Sequence, residues 1–180
     1  VVPSQLSMAM KVPVEGRVEL LHFKDACQQF YQLQQQAQKR QHGRAAFAED
    51  IVRMAAERVQ NWIALAWQGE TLVGGMRYKM KGFANEMIVP QLIYTTAAGK
   101  YLLLNWMARH ADQVSKIWLR LRPDDYFETW LTDSGATVHS EHFAADHPFD
   151  GPTGMGRIID VEGIGGMQVG EGSFIAKIHD

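Results

Sequence analysis

The segment Thr95–Lys100, TTAAGK, lies where a phosphate-binding chain would carry its binding turn. A β-prone stretch leads into it and a helical pattern follows, and free backbone N–H groups at such a turn can hold an anion. Phosphate turns are rich in glycine so that the backbone can approach the ligand, but this one contains only Gly99. It is not a P-loop either, because the glycine five residues earlier is absent and Tyr101 replaces Ser/Thr. We therefore expect a packed helix start and no cofactor-binding residue here.

A polar segment from Ala136 to Gly154 concentrates residue types that bind metals. Its imidazoles and carboxylates are His139, His142, Asp146, His147 and Asp150. Such side chains could gather a zinc ion, but a loop holds tetrahedral geometry only with support from regular structure. We expect a solvated loop and assign no metal ligand.

Candidate catalytic side chains are isolated in the sequence. Cys27 falls on the apolar stripe of a predicted helix, where a cysteine behaves as a small hydrophobe, and His22 nearby gives no sign of contact with it. Tyr78 and Tyr94 could serve as general acids if a substrate were positioned against them. The glycine cluster Gly163–Gly172 lacks a G-x-G-x-x-G run that opens a helix, which favours a turn and domain joint. We assign no catalytic residue.

A strand–helix–strand unit surrounds the turn. Met87–Thr95 is β-prone, Ala98–His110 carries apolar residues at helical spacing, and Lys116–Leu121 alternates as KIWLRL. The two strands should be parallel with a right-handed crossover. Pro90 within the first strand predicts an edge, a bulge or an irregular start, because proline cannot donate a ladder hydrogen bond.

The preceding elements complete a mixed sheet. Residues 1–16 should form an extended lead-in. We then predict a strand at Arg17–Phe23, a helix from its cap Asp25 to about Gln41, and a second helix from about Ala46 to Val59. A hairpin follows, with strands at Asn61–Trp67 and Thr71–Met80. Gly74 and Gly75 suggest a bulge or a close backbone approach. A short helix from Asp124 or Asp125 to Leu131 follows, and later strands are predicted at Met155–Val161 and Ser173–Ile178. The fold class is α/β, with five to seven strands, helices on both faces and a short appended C-terminal β segment.

The expected buried faces follow from periodicity. Cys27, Phe30, Tyr31 and Ala37 should form the stripe of the first helix, and Phe47, Ile51, Met54 and Ala55 that of the second. Trp62 and Trp67 are an odd number of positions apart on one strand and should point to opposite faces. Either helices cover both faces, or one tryptophan meets another domain.

Composition excludes several classes of protein. The chain has 180 residues, a net charge of -2 and no apolar run long enough for a membrane span, so we expect neither nucleic-acid nor membrane partners. The start has no secretory pattern, and Cys27 is the single cysteine, which indicates a reducing cytoplasm. The chain begins with Val1 and ends on a strand-like run, so we expect an excised segment of a longer protein.

The element order resembles that of GNAT acetyltransferases, and particular segments sharpen the resemblance. The segments FYQLQQQAQKRQHGRAAF, IALAWQGETLVGGMRY and WLRLRPDDYFETWLTD resemble the second GNAT-like domain of the enhanced intracellular survival (Eis) family. The run GMGRIIDVEGI resembles the joint with that family's sterol-carrier-like domain. The resemblance covers about Val18 to Asp180.

The resemblance implies a three-part parent enzyme that transfers acetyl from acetyl-CoA to an amine and assembles as an oligomer. This chain would be the degenerate second GNAT domain, residues 1–154, joined at 155–180 to the start of the sterol-carrier-like domain. Its partners would be the catalytic GNAT domain of the same chain and other copies. The family's acyl-CoA motif, Arg/Gln-x-x-Gly-x-Gly/Ala, should fall near Thr95–Lys100 and does not match, so this segment would bind no cofactor. The family's C-terminal carboxylate is implied to act in the active site, but Asp180 falls before the natural end.

Two alternatives remain. The chain could be a divergent catalytic GNAT domain that itself binds acetyl-CoA, or a binding module for an apolar ligand built on its C-terminal part. We favour the non-catalytic domain, which would shape the substrate cleft and the oligomer.

Overall fold

The computed structural model describes residues 1–39, 48–58, 61–82, 85–121, 125 and 127–132. The chain divides into two compact units, Val1–Asp150 and Gly151–Asp180, and all the described residues belong to the first. The polar loop at 136–154, the glycine cluster, Asp180, the two later predicted strands and the domain boundary at 154/155 therefore lie outside the described residues.

Five strands form one mixed sheet in the described part of the chain. In chain order the strands and α-helices are β1 (Arg17–His22), α1 (Phe23–Gln38), α2 (Glu49–Arg58), β2 (Trp62–Gln68), β3 (Thr71–Lys81), β4 (Glu86–Tyr94), α3 (Ala97–Ala108) and β5 (Lys116–Leu119). The sheet order is β1-β2-β3-β4-β5, antiparallel except that β4 and β5 are parallel. The predicted α/β class, hairpin and parallel β4–α3–β5 unit are confirmed.

Alternation along the strands separates two hydrophobic cores, one on each face of the sheet. Ala64 and Ala66 pack on one face with α3, which we call the α3 face. Ile63 and Leu65 pack on the other face with α1 and α2, which we call the α1 face. The predicted helices on both faces are therefore present, and they cover both sides of the apolar strand β2.

The first residues are not an extended lead-in, and that expectation was wrong. Pro3–Lys11 forms a 3-10 helix that packs against α3. Pro3, Leu6 and Ala9 recur every three residues and are buried, which matches the three-residue turn of this helix. The recurrence of apolar residues at every third position was the sequence signal that could have predicted this 3-10 helix.

Helix α1 begins earlier than predicted. Its first residue is Phe23, whose N–H donates to the Asn61 carbonyl, and Asp25 lies within the first turn instead of capping it. Phe30 and Ala37 are buried as expected, whereas Cys27 and Tyr31 are only partly buried. The stripe is completed by Phe23, Ala26, Leu33 and Gln34.

The predicted buried face of α2 was wrong. Ile51 and Met54 are 54% and 49% exposed, while Val52 and Ala56 are buried against the α1 side. Phe47 lies outside the described residues. The smaller side chains let α2 pack close to α1. Sequence periodicity alone does not determine which face of the helix is buried.

The segment after β5 also departs from prediction. β5 ends at Leu119, and the described part of the expected helix is a 3-10 helix at Phe127–Trp130. Thr132 N–H donates to the Gln5 carbonyl at 2.7 Å, which ties this segment to the N-terminal 3-10 helix.

Candidate functional site

The parallel β4–β5 pair and the start of α3 form the candidate site. Pairing between β4 and β5 runs from Glu86 opposite Lys116 to Val89 opposite Leu119, after which Arg120 N–H donates to the Val89 carbonyl at 3.2 Å. β4 then continues to Tyr94 beyond this last contact. The carboxyl end of a parallel strand is where α/β sheets usually bind ligands.

A bulge in β4 lies at this point. The register with β3 shifts by one residue between Arg77 opposite Gln91 and Lys79 opposite Ile88, so that Val89 and Pro90 together face Tyr78. The irregularity predicted from Pro90 is therefore a bulge. Because proline has no N–H, the bulge offers one backbone donor fewer to a ligand.

Three backbone donors at the strand-to-helix turn, the N–H groups of Thr95, Gly99 and Lys100, form hydrogen bonds within the protein. Thr96 is the N-cap of α3, and its hydroxyl accepts the N–H of Gly99 at 3.1 Å. Lys100 N–H donates to the Thr96 carbonyl at 3.2 Å, and Thr95 N–H donates to the Val73 carbonyl at 3.0 Å. Gly99 thus has a packed, capped environment instead of an open one.

Gly99 is required by helix–sheet packing. A Cβ at this position would lie 2.2 Å from the Val73 carbonyl oxygen, and one at Gly74 would lie 3.1 Å from the Gly99 carbonyl oxygen. On the other face, a Cβ at Gly75 would lie 2.9 Å from a Leu33 methyl carbon. The close approach predicted from Gly74 and Gly75 is confirmed, and Gly99 is its counterpart on α3.

Aromatic side chains surround Lys100 at the carboxyl end of β4. The Lys100 Nζ lies 5.8 Å from the ring centre of Tyr94, 5.0 Å from that of Tyr101 and 5.1 Å from that of Trp130. These distances are within cation–π range. The Tyr94 hydroxyl donates to the Asp125 carboxylate, which draws the segment after β5 over the same end of the strand.

The two tyrosines considered as general acids differ in environment. Tyr78 is buried beside Trp106, with ring centres 5.0 Å apart, and burial raises its pKa to about 12. It is therefore fully protonated at neutral pH. Tyr94 has its hydroxyl committed to Asp125. Tyr78 belongs to the α3-face core, and Tyr94 is partly buried against it.

The other residues singled out by sequence fall into separate places. The Cys27 thiol contacts the Lys24 carbonyl at 3.5 Å, while the His22 ring stacks on Trp62 with centres 3.9 Å apart. Trp62 is 40% exposed and lies opposite Tyr78, a residue of the α3-face core. Trp67 packs against the α1-face core, so the two tryptophans lie on opposite faces.

Sequence reasoning missed Arg77. Its guanidinium carbon lies 5.5 Å from the Phe23 ring centre, and its Nε is buried without a hydrogen-bond partner. Burial lowers the pKa of Arg77, and the nearby Arg120 charge lowers it further. The available signal was strand alternation, which places Arg77 on the same face as Gly75, beneath α1.

Among the described residues, no three histidine, cysteine, aspartate or glutamate side chains come together in a way that could hold a metal ion. No helix in the described ranges combines the length and apolar character needed to cross a membrane.

Comparison with known proteins shows similarity at the level of fold. No protein-family model and no curated protein matches the chain. A GCN5-related N-acetyltransferase (GNAT) from Anabaena variabilis ATCC 29413 aligns over 73% of this chain and 36% of its own, with a TM-score of 0.58 and 14% identity. A GCN5-related N-acetyltransferase from Kribbella flavida aligns over 74% of this chain and 32% of its own, with a TM-score of 0.53 and 17% identity.

A shorter structure is similar over nearly its whole length. The possible acetyltransferase from Clostridium difficile 630 aligns over 73% of this chain and 99% of its own, with a TM-score of 0.52 and 7% identity. The chain therefore has a GNAT-like fold. It spans about a third of the length of the Anabaena and Kribbella proteins.

Proposed function

We propose that this chain is a non-catalytic GNAT-fold domain of a longer, acetyl-CoA-dependent N-acetyltransferase of the Eis type. The observation that carries the proposal is the position of Gly99, which is packed against the Val73 carbonyl with its N–H taken by Thr96. The single glycine of the turn serves helix packing, and its N–H is bonded to Thr96 instead of being open to a diphosphate.

Energetics support this proposal. A helix N-terminus contributes only about 0.3–2 kcal/mol to binding an anion. Micromolar coenzyme binding requires about 8 kcal/mol. Without several free N–H groups aimed at the diphosphate, the remainder would have to come from elsewhere in the domain.

The surroundings of the turn give further support. Lys100 and the rings of Tyr94, Tyr101 and Trp130 pack together at the carboxyl end of β4. Pro90 removes a donor from the β4 bulge. The residues of this turn lack the features with which a glycine-rich turn binds the diphosphate of acetyl-CoA. We therefore assign coenzyme binding to the catalytic domain of the parent protein.

The role of this domain would be architectural. It would complete the substrate cleft of the catalytic domain and contribute to the contacts of a homo-oligomer, with residues 155–180 opening a sterol-carrier-like domain. The Anabaena and Kribbella proteins extend well beyond the part aligned with this chain, which supports a parent of several domains. We place the parent in the cytoplasm, where a free thiol such as Cys27 stays reduced.

The second candidate function is acetyl-CoA binding by this domain itself. The β4 bulge and the continuation of β4 beyond its last contact with β5 favour it, because both leave strand backbone available near the ligand-binding end of the sheet.

Calorimetric titration of the 180-residue chain with acetyl-CoA separates the two functions. We expect no binding at a dissociation constant of about 10 μM or tighter. A coenzyme-dependent N-acetyltransferase titrated under the same conditions is the positive control. Saturable micromolar binding accompanied by shifts of the Thr96 and Gly99 amide signals would establish the divergent catalytic domain instead.

A Lys100→Met variant refines the titration. A small heat of binding could arise only from attraction between the Lys100 side chain and the diphosphate. In that case the heat should disappear in this variant, and acetyl-CoA should not shift the amide signals of the turn in either protein. A specific site would retain those amide shifts.

A further inference from the structure

Arg77 is a cation on the α1 face with no carboxylate partner in the described part of the chain. Its guanidinium lies against the Phe23 ring, and its Nε is shielded from solvent with no acceptor. Among the described residues it has no carboxylate partner within ion-pair distance. Arg77 is half-buried as a residue, but its shielded Nε is a donor that would normally have an acceptor.

Other groups suited to an anion lie next to Arg77 in the sheet. Gln91 is directly opposite it on β4, so their side chains share a face. Arg120 lies between Leu119 and Leu121, which both pack on the α3 face, so its own side chain projects toward the α1 face. Its N–H bonds to the Val89 carbonyl, which brings Arg120 beside the β4 bulge and one strand away from Gln91.

The exposed arginine on the same face provides a contrast. Arg17 also lies near an aromatic ring, 5.4 Å from the centre of Trp67. It donates to the Gly69 carbonyl at 2.6 Å and lies 3.9 Å from the Glu70 carboxylate. Stacking on a ring therefore coexists with ordinary acceptors at Arg17, whereas the Arg77 Nε has no acceptor among the described residues.

We propose that Arg77, Gln91 and Arg120 form a binding site for the oxyanion of a small molecule, a carboxylate or a phosphate group, on the α1 face beside the β4 bulge. A guanidinium flanked by an amide donor and a second cation matches the acceptor-only chemistry of such a group. Burial lowers the pKa of Arg77 first and the Arg120 charge second, which agrees with the two guanidinium groups lying near each other. This site lies on the face opposite α3 and does not depend on whether the chain binds acetyl-CoA.

Nuclear magnetic resonance of the wild-type chain tests the proposal directly. Because the Arg77 Nε is shielded, its N–H should exchange slowly enough to give a resolved signal. Titration with inorganic phosphate, and separately with succinate, at ionic strength held constant with sodium chloride, should shift this signal saturably. We expect a dissociation constant of about 1 mM or tighter for at least one probe.

The two probes distinguish the sources of the oxyanion. Tighter binding of phosphate assigns a phosphorylated ligand, and tighter binding of succinate assigns a carboxylate. If neither probe shifts the Arg77 signal, the site does not exist.

Matched variants separate ligand binding from a merely structural role. Arg77→Met keeps an apolar stem against Phe23 and should weaken anion binding, followed in both proteins by the side-chain amide signal of Gln91, by about tenfold or more, with no loss of thermal stability when anion is absent. Arg17→Met should leave anion binding unchanged. Equal binding in wild type and Arg77→Met would overturn the proposal, as would a large loss of stability with anion binding retained.

Discussion

Helix–sheet packing leaves no room for a side chain at Gly99. A Cβ there would meet the Val73 carbonyl oxygen at 2.2 Å, and backbone on both sides prevents relaxation by a rotamer change. We expect Gly99→Ala to destabilise the chain by roughly 1–3 kcal/mol or more, measured by urea denaturation. Ala97→Ser, in the same turn but exposed, should change stability by less than about 0.5 kcal/mol. Equal, small effects for both variants would show that α3 is not held against β3 at this point.

Tyr78 gives the chain an alkaline limit to its stability. Its native pKa is raised from 10.0 to about 12 by burial. Between these two values the unfolded phenol loses its proton while the native one keeps it, so the free energy of unfolding falls as pH rises. At about 1.4 kcal/mol per pKa unit, the total loss is of the order of 3 kcal/mol.

Chemical denaturation at a series of pH values from neutral to alkaline measures this effect. Tyr78→Phe keeps the ring beside Trp106 but cannot ionise, so its stability should fall less steeply above pH 10, the ordinary pKa of the phenol. Parallel curves for the two proteins would contradict the assignment.

At the scale of elements, α3 depends on its first turn. Thr96 caps the helix by accepting the Gly99 N–H, and this bond also fixes the direction in which the helix leaves β4. We expect Thr96→Ala to cost about 0.5–2 kcal/mol, measured by thermal and urea unfolding. Thr96→Ser retains the hydroxyl and should stay close to wild type. If both substitutions cost the same, the methyl group rather than the cap is what matters.

Sequence patterns predicted elements well where one periodicity dominated. The hairpin of β2 and β3, the β4–α3–β5 unit and the irregularity at Pro90 were all recognisable, because strand alternation, helical spacing and proline chemistry act locally. Prediction was wrong at the N-terminal 3-10 helix and at the buried face of α2. In α2, Ile51 and Met54 suggested one face, yet the helix turns its smaller Val52 and Ala56 inward. The orientation of an amphipathic helix depends on the shape of the surface it meets, which local spacing does not contain.

At the scale of the molecule, the two cores share one sheet and should unfold together. Leu103 is fully buried on the α3 face, whereas Leu65 on β2 is buried on the α1 face. We expect Leu103→Ala to cost about 2–5 kcal/mol. Hydrogen exchange should show the same loss of protection at β2 amides, because these exchange through global unfolding.

Leu20→Ala is the matched control for this comparison. Leu20 is 45% exposed on β1, and its truncation should change stability by about 0.5 kcal/mol or less. Unchanged protection of β2 in Leu103→Ala would show that the two faces unfold independently.

The sequence by itself determined the α/β class, the order of the elements and the lack of a glycine-rich phosphate turn, because these follow from local periodicity and residue type. Only the tertiary structure decided what Gly99 does instead, which residues close around Lys100, and that the Arg77 Nε is shielded with no acceptor among the described residues. Each of these depends on contacts between residues distant in the chain: Val73 with Gly99, Trp130 with Lys100, and Phe23 with Arg77. Such contacts arise when strands pair and helices settle on the sheet, and no pattern within a single element encodes them.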